Sequence, residues 1–330
     1  RNLYRRETLA EIGFDYYAIG VKMSIRYDGQ VAIVTGAGNG LGKSHALALA
    51  ARGAKVVVND LGGAVDGTGG SVTAAQQVVQ EIEAAGGEAM ANGANVTNLA
   101  EVEAMVKDAM DKWGRVDILV NNAGILRDKS FAKVSIDDFK LVVDVHLMGS
   151  VNCTKAVWTI MQEQNYGRVV MTTSSSGMYG NFGQTNYGAA KMAVVGFMNT
   201  LVIEGKKHNI HVNALSPTAG TRMLEGLIPP DVLELMSVES VTAGLLTLCD
   251  SEAPNRTILC AGAGGYATTQ IFETDGIYLA PEDQSPENVR AQMDKVMDRA
   301  GEKKITAGFE QTNKFVAKAM QHFGIEMPKT

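Results

Sequence analysis

Thr35-Gly36-Ala37-Gly38-Asn39-Gly40-Leu41-Gly42 follows the β-branched run Val31–Thr35 and opens a helical pattern that starts at Leu41. Glycines between a first strand and a first helix let backbone approach a bound phosphate, and the helix N-terminus adds unpaired N–H donors with a partial positive charge. A glycine-rich loop alone is weak evidence. Its place at the head of a strand–helix–strand unit makes it a candidate dinucleotide cradle.

The chain on either side keeps the same rhythm. Short β-branched runs near Val31–Thr35, Lys55–Asn59, Glu88–Ala91, Asp117–Val120, Gly167–Thr172, Ile210–Ala214 and Thr257–Cys260 read as strands. Helical patterns near Leu41–Arg52, Val72–Ala85, Leu99–Trp113, Ile136–Gln164 and Asn186–Lys207 fill the intervals. Such alternation predicts one doubly wound parallel sheet with helices on both faces. The glycine-rich stretch Leu61–Gly70 is longer than a tight turn needs, so it is either a surface insertion or a flap over the adenosine half of a nucleotide. After Cys260 the run Ala-Gly-Ala-Gly-Gly is expected to end the sheet pattern. A C-terminal helical extension follows, with Pro286 at a first helical position behind Ser285.

Composition narrows the classes. The 330 residues are 45% hydrophobic, enough for a sizeable core, and no apolar run approaches the roughly 20 residues that span a bilayer. The formal charge of −6 offers no field for nucleic acid. Three widely spaced cysteines, Cys153, Cys249 and Cys260, read as small core residues of a reducing compartment, and the five histidines show no metal-ligand spacing. Residues 1–22 contain acidic side chains and no apolar core segment, so they fit neither a secretory nor a transit signal, and Met23 reads as the natural start after a leader or cloning-derived segment. The expected organisation is this segment, a catalytic domain over 23–262, and an extension over 263–330.

Three groups carry chemistry. Asp60 ends the second strand, where its carboxylate would accept from both ribose hydroxyls and repel a 2′-phosphate; residues 37–39 hold no Arg or Lys to offset that, which predicts NAD rather than NADP. Asn121-Asn122-Ala123-Gly124 closes the fourth strand, and its alternative reading is a strand-terminating turn. Tyr187 and Lys191 are four residues apart, on one helical face, with Ser174 thirteen residues before the tyrosine. An ammonium there favours a tyrosinate and would lower a phenol pKa from roughly 10 toward working pH, giving a group that takes a proton from an alcohol or returns one to a ketone.

These motifs in this order resemble the short-chain dehydrogenases/reductases, which have a Rossmann fold. The resemblance implies that Tyr187 is the acid/base, that Ser174 polarises the carbonyl, and that Lys191 binds the nicotinamide ribose. It also implies that Gly36, Asn39, Gly40, Leu41, Asp60, Asn95, Val96, Asn122, Ala123, Gly124, Pro217, Ala219, Gly220 and Thr221 line the cofactor. The long helices near Ile136–Gln164 and Asn186–Lys207 resemble the four-helix interface through which such enzymes form homodimers. The runs at Arg26, Val56, Asn121, Val145, Gly180 and Ala219 are similar to one branch of the family, the (3R)-hydroxyacyl-CoA dehydrogenase units of type 2 peroxisomal multifunctional enzymes. That branch implies oxidation of a (3R)-3-hydroxyacyl-CoA; a 17β-hydroxysteroid or steroid side chain is the alternative substrate, and a non-catalytic NAD-binding protein the remote one. The terminal Met-Pro-Lys-Thr lacks a Ser-Lys-Leu signal, so a free-standing cytoplasmic chain is expected.

Two departures from the family pattern stand out. His146 replaces the asparagine of the usual proton-relay tetrad and either holds a relay water or packs as a core histidine. Asn95-Val96 replaces Asp-Val, and the Asn95 carbonyl is expected to accept from an adenine amino group. Arg127, Lys129 and Lys133 are candidates for the CoA phosphates, or else a solvated charge cluster.

Overall fold

The computed structural model describes residues 24–69, 71–220 and 229–326, so residues 1–23 and Thr221 lie outside the described residues. The chain divides into two compact units, 1–266 and 267–330. In the first, strands β1 (Val31–Thr35), β2 (Lys55–Asn59), β3 (Glu88–Asn92), β4 (Ile118–Asn121), β5 (Gly167–Thr172), β6 (Ile210–Thr218) and β7 (Ile258–Gly262) pair in parallel. An eighth strand, β8 (Gly265–Thr269), makes the order β3-β2-β1-β4-β5-β6-β7-β8. The expected end of the sheet after Cys260 is therefore corrected: β7 continues to Gly262, and Ala263 and Gly264, both in the left-handed region, form a two-residue turn into β8.

The helices are α1 (Gly40–Ala51), α2 (Thr73–Ala84), α3 (Leu99–Trp113), α4 (Ile136–Val143), α5 (Gly149–Gln164), α6 (Ser175–Tyr179), α7 (Thr185–Gly205), α8 (Pro230–Leu235) and α9 (Val238–Cys249). All five residues of β1 and all six of β5 are buried, as central strands covered on both faces require. One core, with Ala46, Leu49, Val78, Ile82 and Leu245, lies under α1, α2 and α9. The other, with Met105, Val157, Met161 and Met198, lies under α3, α5 and α7.

Two expectations change here. The single helix expected over Ile136–Gln164 is interrupted at Asp144–Met148 by a π-helical turn, which divides it into α4 and α5. A further apolar stretch, Asp231–Cys249, is long and apolar enough by length and composition to cross a membrane, contrary to the expectation that no run approaches that length. It is broken between α8 and α9, and Val241, Leu245, Leu248 and Cys249 enter the core, which accounts for its apolarity.

The second unit contains α10 (Pro286–Ala291), α11 (Met293–Val296) and α12 (Gly308–Phe323). The Ser285 hydroxyl caps α10 by accepting from the Asn288 N–H, with Pro286 at the first turn as the sequence predicts. None of its described residues is buried, and Phe309, Phe315 and Phe323 are all exposed.

On α1, His45 is enclosed with its Nδ1 2.8 Å from the Thr242 hydroxyl of α9, and burial pushes its pKa down to about 3. Between that value and 6.5 the unfolded chain binds a proton that the native state refuses, so stability falls as pH falls through this window. His45→Gln should make the pH dependence of unfolding free energy between pH 3.5 and 6 shallower by about one proton, roughly 1.4 kcal/mol per pH unit. Denaturant titrations at four pH values measure this; an unchanged slope would show that His45 is not held neutral.

Candidate active site

The carboxyl edge of the sheet gathers the residues singled out from the sequence. Thr35 closes β1, and its hydroxyl oxygen accepts from the Asn122 and Ala123 N–H groups, each at 3.0 Å, while donating to the Val120 carbonyl at 3.3 Å. The Asn122 amide donates to the Thr35 carbonyl at 2.9 Å and to the Gly36 carbonyl at 3.1 Å. Asn122 therefore shapes the cradle with its side chain rather than turning its amide outward to a sugar. Gly36 has φ +62°, and a Cβ at Gly42 would stand 2.1 Å from the Gly36 carbonyl, so the loop closes only without side chains there. Asn39 supplies no side-chain cap to α1, whose first turn, with Gly40 and Leu41, opens on the cradle with its N–H donors.

Asp60 follows β2. One carboxylate oxygen accepts from the Gly38 N–H at 2.7 Å and the other from the Gly62 N–H at 2.6 Å, which fixes the group at the cradle rim with a lone pair to spare on each oxygen. Asn95 and Val96 follow β3. The Asn95 side-chain carbonyl already accepts from the Thr97 N–H and hydroxyl, at 3.0 and 2.9 Å, so the acceptor expected for adenine is committed to a local turn. Val96 is buried, and its carbonyl accepts from the Asn152 amide at 2.9 Å. Pro217 ends within β6, Ala219 is buried, and the Gly220 N–H donates to the Met236 carbonyl at 2.6 Å.

Beside the cradle lie the side chains that the sequence marks as candidates for proton transfer. Ser174 caps α6, accepting from the Ser176 N–H at 3.2 Å. Tyr187 and Lys191 stand one turn apart on α7; the Lys191 ammonium is enclosed, donates to the Thr172 carbonyl at 2.6 Å, and lies 5.6 Å from the Tyr187 ring centroid. His146, from the π-helical turn, meets Tyr187 edge to face with centroids 5.1 Å apart. Its Nε2 lies 2.8 Å from the Ile125 carbonyl and 3.1 Å from the Ile125 N–H, so it donates to one or accepts from the other according to tautomer. Among the described residues the buried Nδ1 has no partner. Gly124 makes this packing possible, because a Cβ there would be 2.3 Å from the imidazole Cε1.

Burial dominates the electrostatics of all three side chains. It draws the Lys191 ammonium down to about 7 and, with the lysine charge nearby, holds His146 well below its ordinary value. Burial also raises the Tyr187 phenol, opposed by a hydrogen bond from Ser174. The sequence expectation of a lowered phenol is thus corrected: desolvation of the tyrosinate outweighs the serine, and a lysine whose own charge burial disfavours is a weak counter-charge.

Other residues tie the site together without having been singled out. The Asn186 amide donates to the Arg127 carbonyl at 3.1 Å and its oxygen accepts from the Tyr187 N–H at 2.8 Å, which couples the segment after β4 to the start of α7. Gln184 bridges the Asp128 carboxylate at 2.6 Å and the Ser176 hydroxyl at 2.7 Å. Their polarity between two motifs was the available signal. Arg127 and Lys129 both pair with Asp138, at 2.6 and 3.2 Å, and draw its carboxyl down to about 2. These two cations belong to an ion-pair cluster, the alternative that the sequence left open beside contact with CoA phosphates.

Residues 30–228 match the short chain dehydrogenase family. The chain is 47% identical over 277 residues to mouse peroxisomal multifunctional enzyme type 2, covering 83% of this chain and 37% of that protein. It therefore spans well under half of that relative's length. A short-chain type dehydrogenase/reductase of Mycobacterium tuberculosis is 46% identical over 282 residues, covering 85% of this chain and 98% of that one. The solved full-length multifunctional enzyme type 2 of Drosophila melanogaster superposes with a TM-score of 0.75 at 37% identity, over 91% of this chain and 51% of that one. With a parallel sheet whose carboxyl edge carries the glycine cradle, the Asn-Asn-Ala-Gly turn and the Ser-Tyr-Lys group, the chain belongs to the short-chain dehydrogenases, oxidoreductases that act on alcohols.

Proposed function

We propose that this protein oxidises a (3R)-3-hydroxyacyl-CoA to the 3-ketoacyl-CoA with NAD, through Ser174, Tyr187 and Lys191. The observation that carries the reading is the half-buried Tyr187, flanked by the buried His146 and Lys191 and by Ser174 at the mouth of the cradle. The substrate class rests on the runs shared with (3R)-hydroxyacyl-CoA dehydrogenase units and on the likeness to multifunctional enzymes of type 2. The reacting unit is taken as residues 23–262, with 263–330 as its extension.

The residues present fit a dinucleotide. Gly36, Asn39, Gly40 and Leu41 would hold its diphosphate, Asp60 its adenosine ribose, Val96 its adenine side, and Ala123, Gly124, Pro217, Ala219 and Gly220 the nicotinamide half. When bound, the nicotinamide supplies the hydride acceptor. Ser174 then donates a hydrogen bond to the substrate oxygen while Tyr187, as phenolate, takes the hydroxyl proton. Lys191, released from the Thr172 carbonyl, turns its ammonium to the ribose and the phenolate. His146 offers Nδ1 to a water that carries the proton onward, the reading its orphaned nitrogen favours over a plain core histidine.

NADH production from a (3R)-hydroxyacyl-CoA should exceed that from the (3S) isomer and from a 17β-hydroxysteroid. Tyr187→Phe should cut it by about 10²–10⁴-fold with NAD binding retained. Faster steroid oxidation would transfer the substrate assignment to steroids, and near-parental turnover by the variant would remove Tyr187 from its role.

Cofactor choice is read at Asp60. The parent should strongly prefer NAD, and Asp60→Ala with Asn39→Arg should shift kcat/KM toward NADP by removing repulsion and adding a phosphate partner. Equal use of the two cofactors by the parent would contradict this assignment.

A homodimer through α4, α5 and α7 accompanies this reading, because long helices packed about a two-fold axis close on themselves. Light scattering at micromolar concentration should give twice the chain mass; a single-chain mass would exclude the pairing.

A further inference from the structure

The glycine-rich loop after Asp60 is pinned at both ends. At its neck the Ser71 N–H donates to the Leu61 carbonyl at 2.8 Å. At its tip the Ala64 N–H donates to the Thr68 carbonyl at 2.8 Å, while one Asp66 carboxylate oxygen accepts from the Thr68 N–H and hydroxyl, at 3.0 and 2.7 Å. This preformed tip docks on the segment that follows β4. The Leu126 N–H donates to the Val65 carbonyl at 3.0 Å, the Arg127 Nε to the Asp66 carbonyl at 3.0 Å, and a Cβ at Gly67 would stand 3.2 Å from the Ile125 side chain.

Sheet order gives this docking its meaning. β1 lies between β2 and β4, so a loop that leaves β2 and attaches beyond β4 must pass across the carboxyl end of β1. That end carries Thr35–Leu41, the cradle. The attachment is slight: two hydrogen bonds and one apolar contact, each hydrogen bond shifting an open–closed balance by no more than about tenfold. It is also wired to the proton-handling groups, since the Arg127 that holds the tip accepts from Asn186 at its carbonyl and pairs with Asp138 through its guanidinium.

We infer that residues 61–69 form a strap that closes over the diphosphate part of the bound dinucleotide and must unlatch from Leu126 and Arg127 for the cofactor to leave. This rests on the nucleotide reading above. The strap reaches the residues that move protons only at second hand, through the backbone of Arg127 and the Asn186 amide, so its loss acts on cofactor exchange far more than on hydride transfer. Lids of this kind commonly limit release rather than chemistry.

The test replaces residues 63–69 by a short turn and follows NADH release by stopped-flow fluorescence. Release should accelerate by about tenfold or more, with single-turnover hydride transfer at saturating cofactor staying within about threefold of the parent. Gly67→Val, which drives a side chain into Ile125 at a left-handed position, should accelerate release in the same sense and serves if the shortened chain does not fold. Release within twofold of the parent, in a variant with an unchanged melting temperature, overturns the strap alone. A parent that binds no NADH overturns the nucleotide reading and the strap with it.

Discussion

The knot between β1 and β4 is the interaction on which the site depends. One threonine hydroxyl takes two backbone N–H groups and gives its hydrogen to a third backbone group, while one asparagine amide returns two donors across the seam. All of this is at least partly buried, where each unmade hydrogen bond costs about 1–3 kcal/mol, so the turns after β1 and β4 are effectively one object. The cradle, the Gly124 gap that admits His146, and the Ile125–Asp128 rim all hang from it. A sheet edge without this knot would still be a sheet, but its loops would have no common reference.

Much of the fold was legible in the sequence because central strands must be apolar on both faces, and runs such as Val-Val-Val at Val56 are hard to read otherwise. The order of motifs then placed Asp60, Asn122, Ser174 and Tyr187 at one edge. What stayed hidden were pairings that local pattern does not encode. Asp138 lies eleven residues beyond Arg127, so nothing local announces their ion pair. The Asn95 carbonyl looked free until Thr97 was seen to use it. The Ala263–Gly264 turn resembled a mere break, because β8 is too exposed to carry a core signature.

The proton-handling groups show how strongly enclosure governs charge here. Desolvation moves Lys191, His146 and Tyr187 toward their neutral forms, opposed by one hydrogen bond from Ser174 at Tyr187 and one to Ile125 at His146. The Tyr187 phenol, raised above its ordinary value by burial, is therefore protonated at neutral pH.

The π-helical turn at Asp144–Met148 also sets a mechanical phase. Each residue of an α-helix advances the side-chain direction by about 100°, so one extra residue in a turn rotates everything after it by that angle relative to everything before. In this protein the two halves of the rod use the offset, since α4 packs on α7 while α5 packs on α3. Excising one residue between Asp144 and Met148 would restore an ordinary helix and misalign Val142 against Cys153 and Val157, two apolar faces that are both buried now. Sequence length in that short interval therefore matters beyond the contacts of His146: a substitution there disturbs the contacts of one side chain, whereas a change of one residue in length turns half of a rod away from its neighbours.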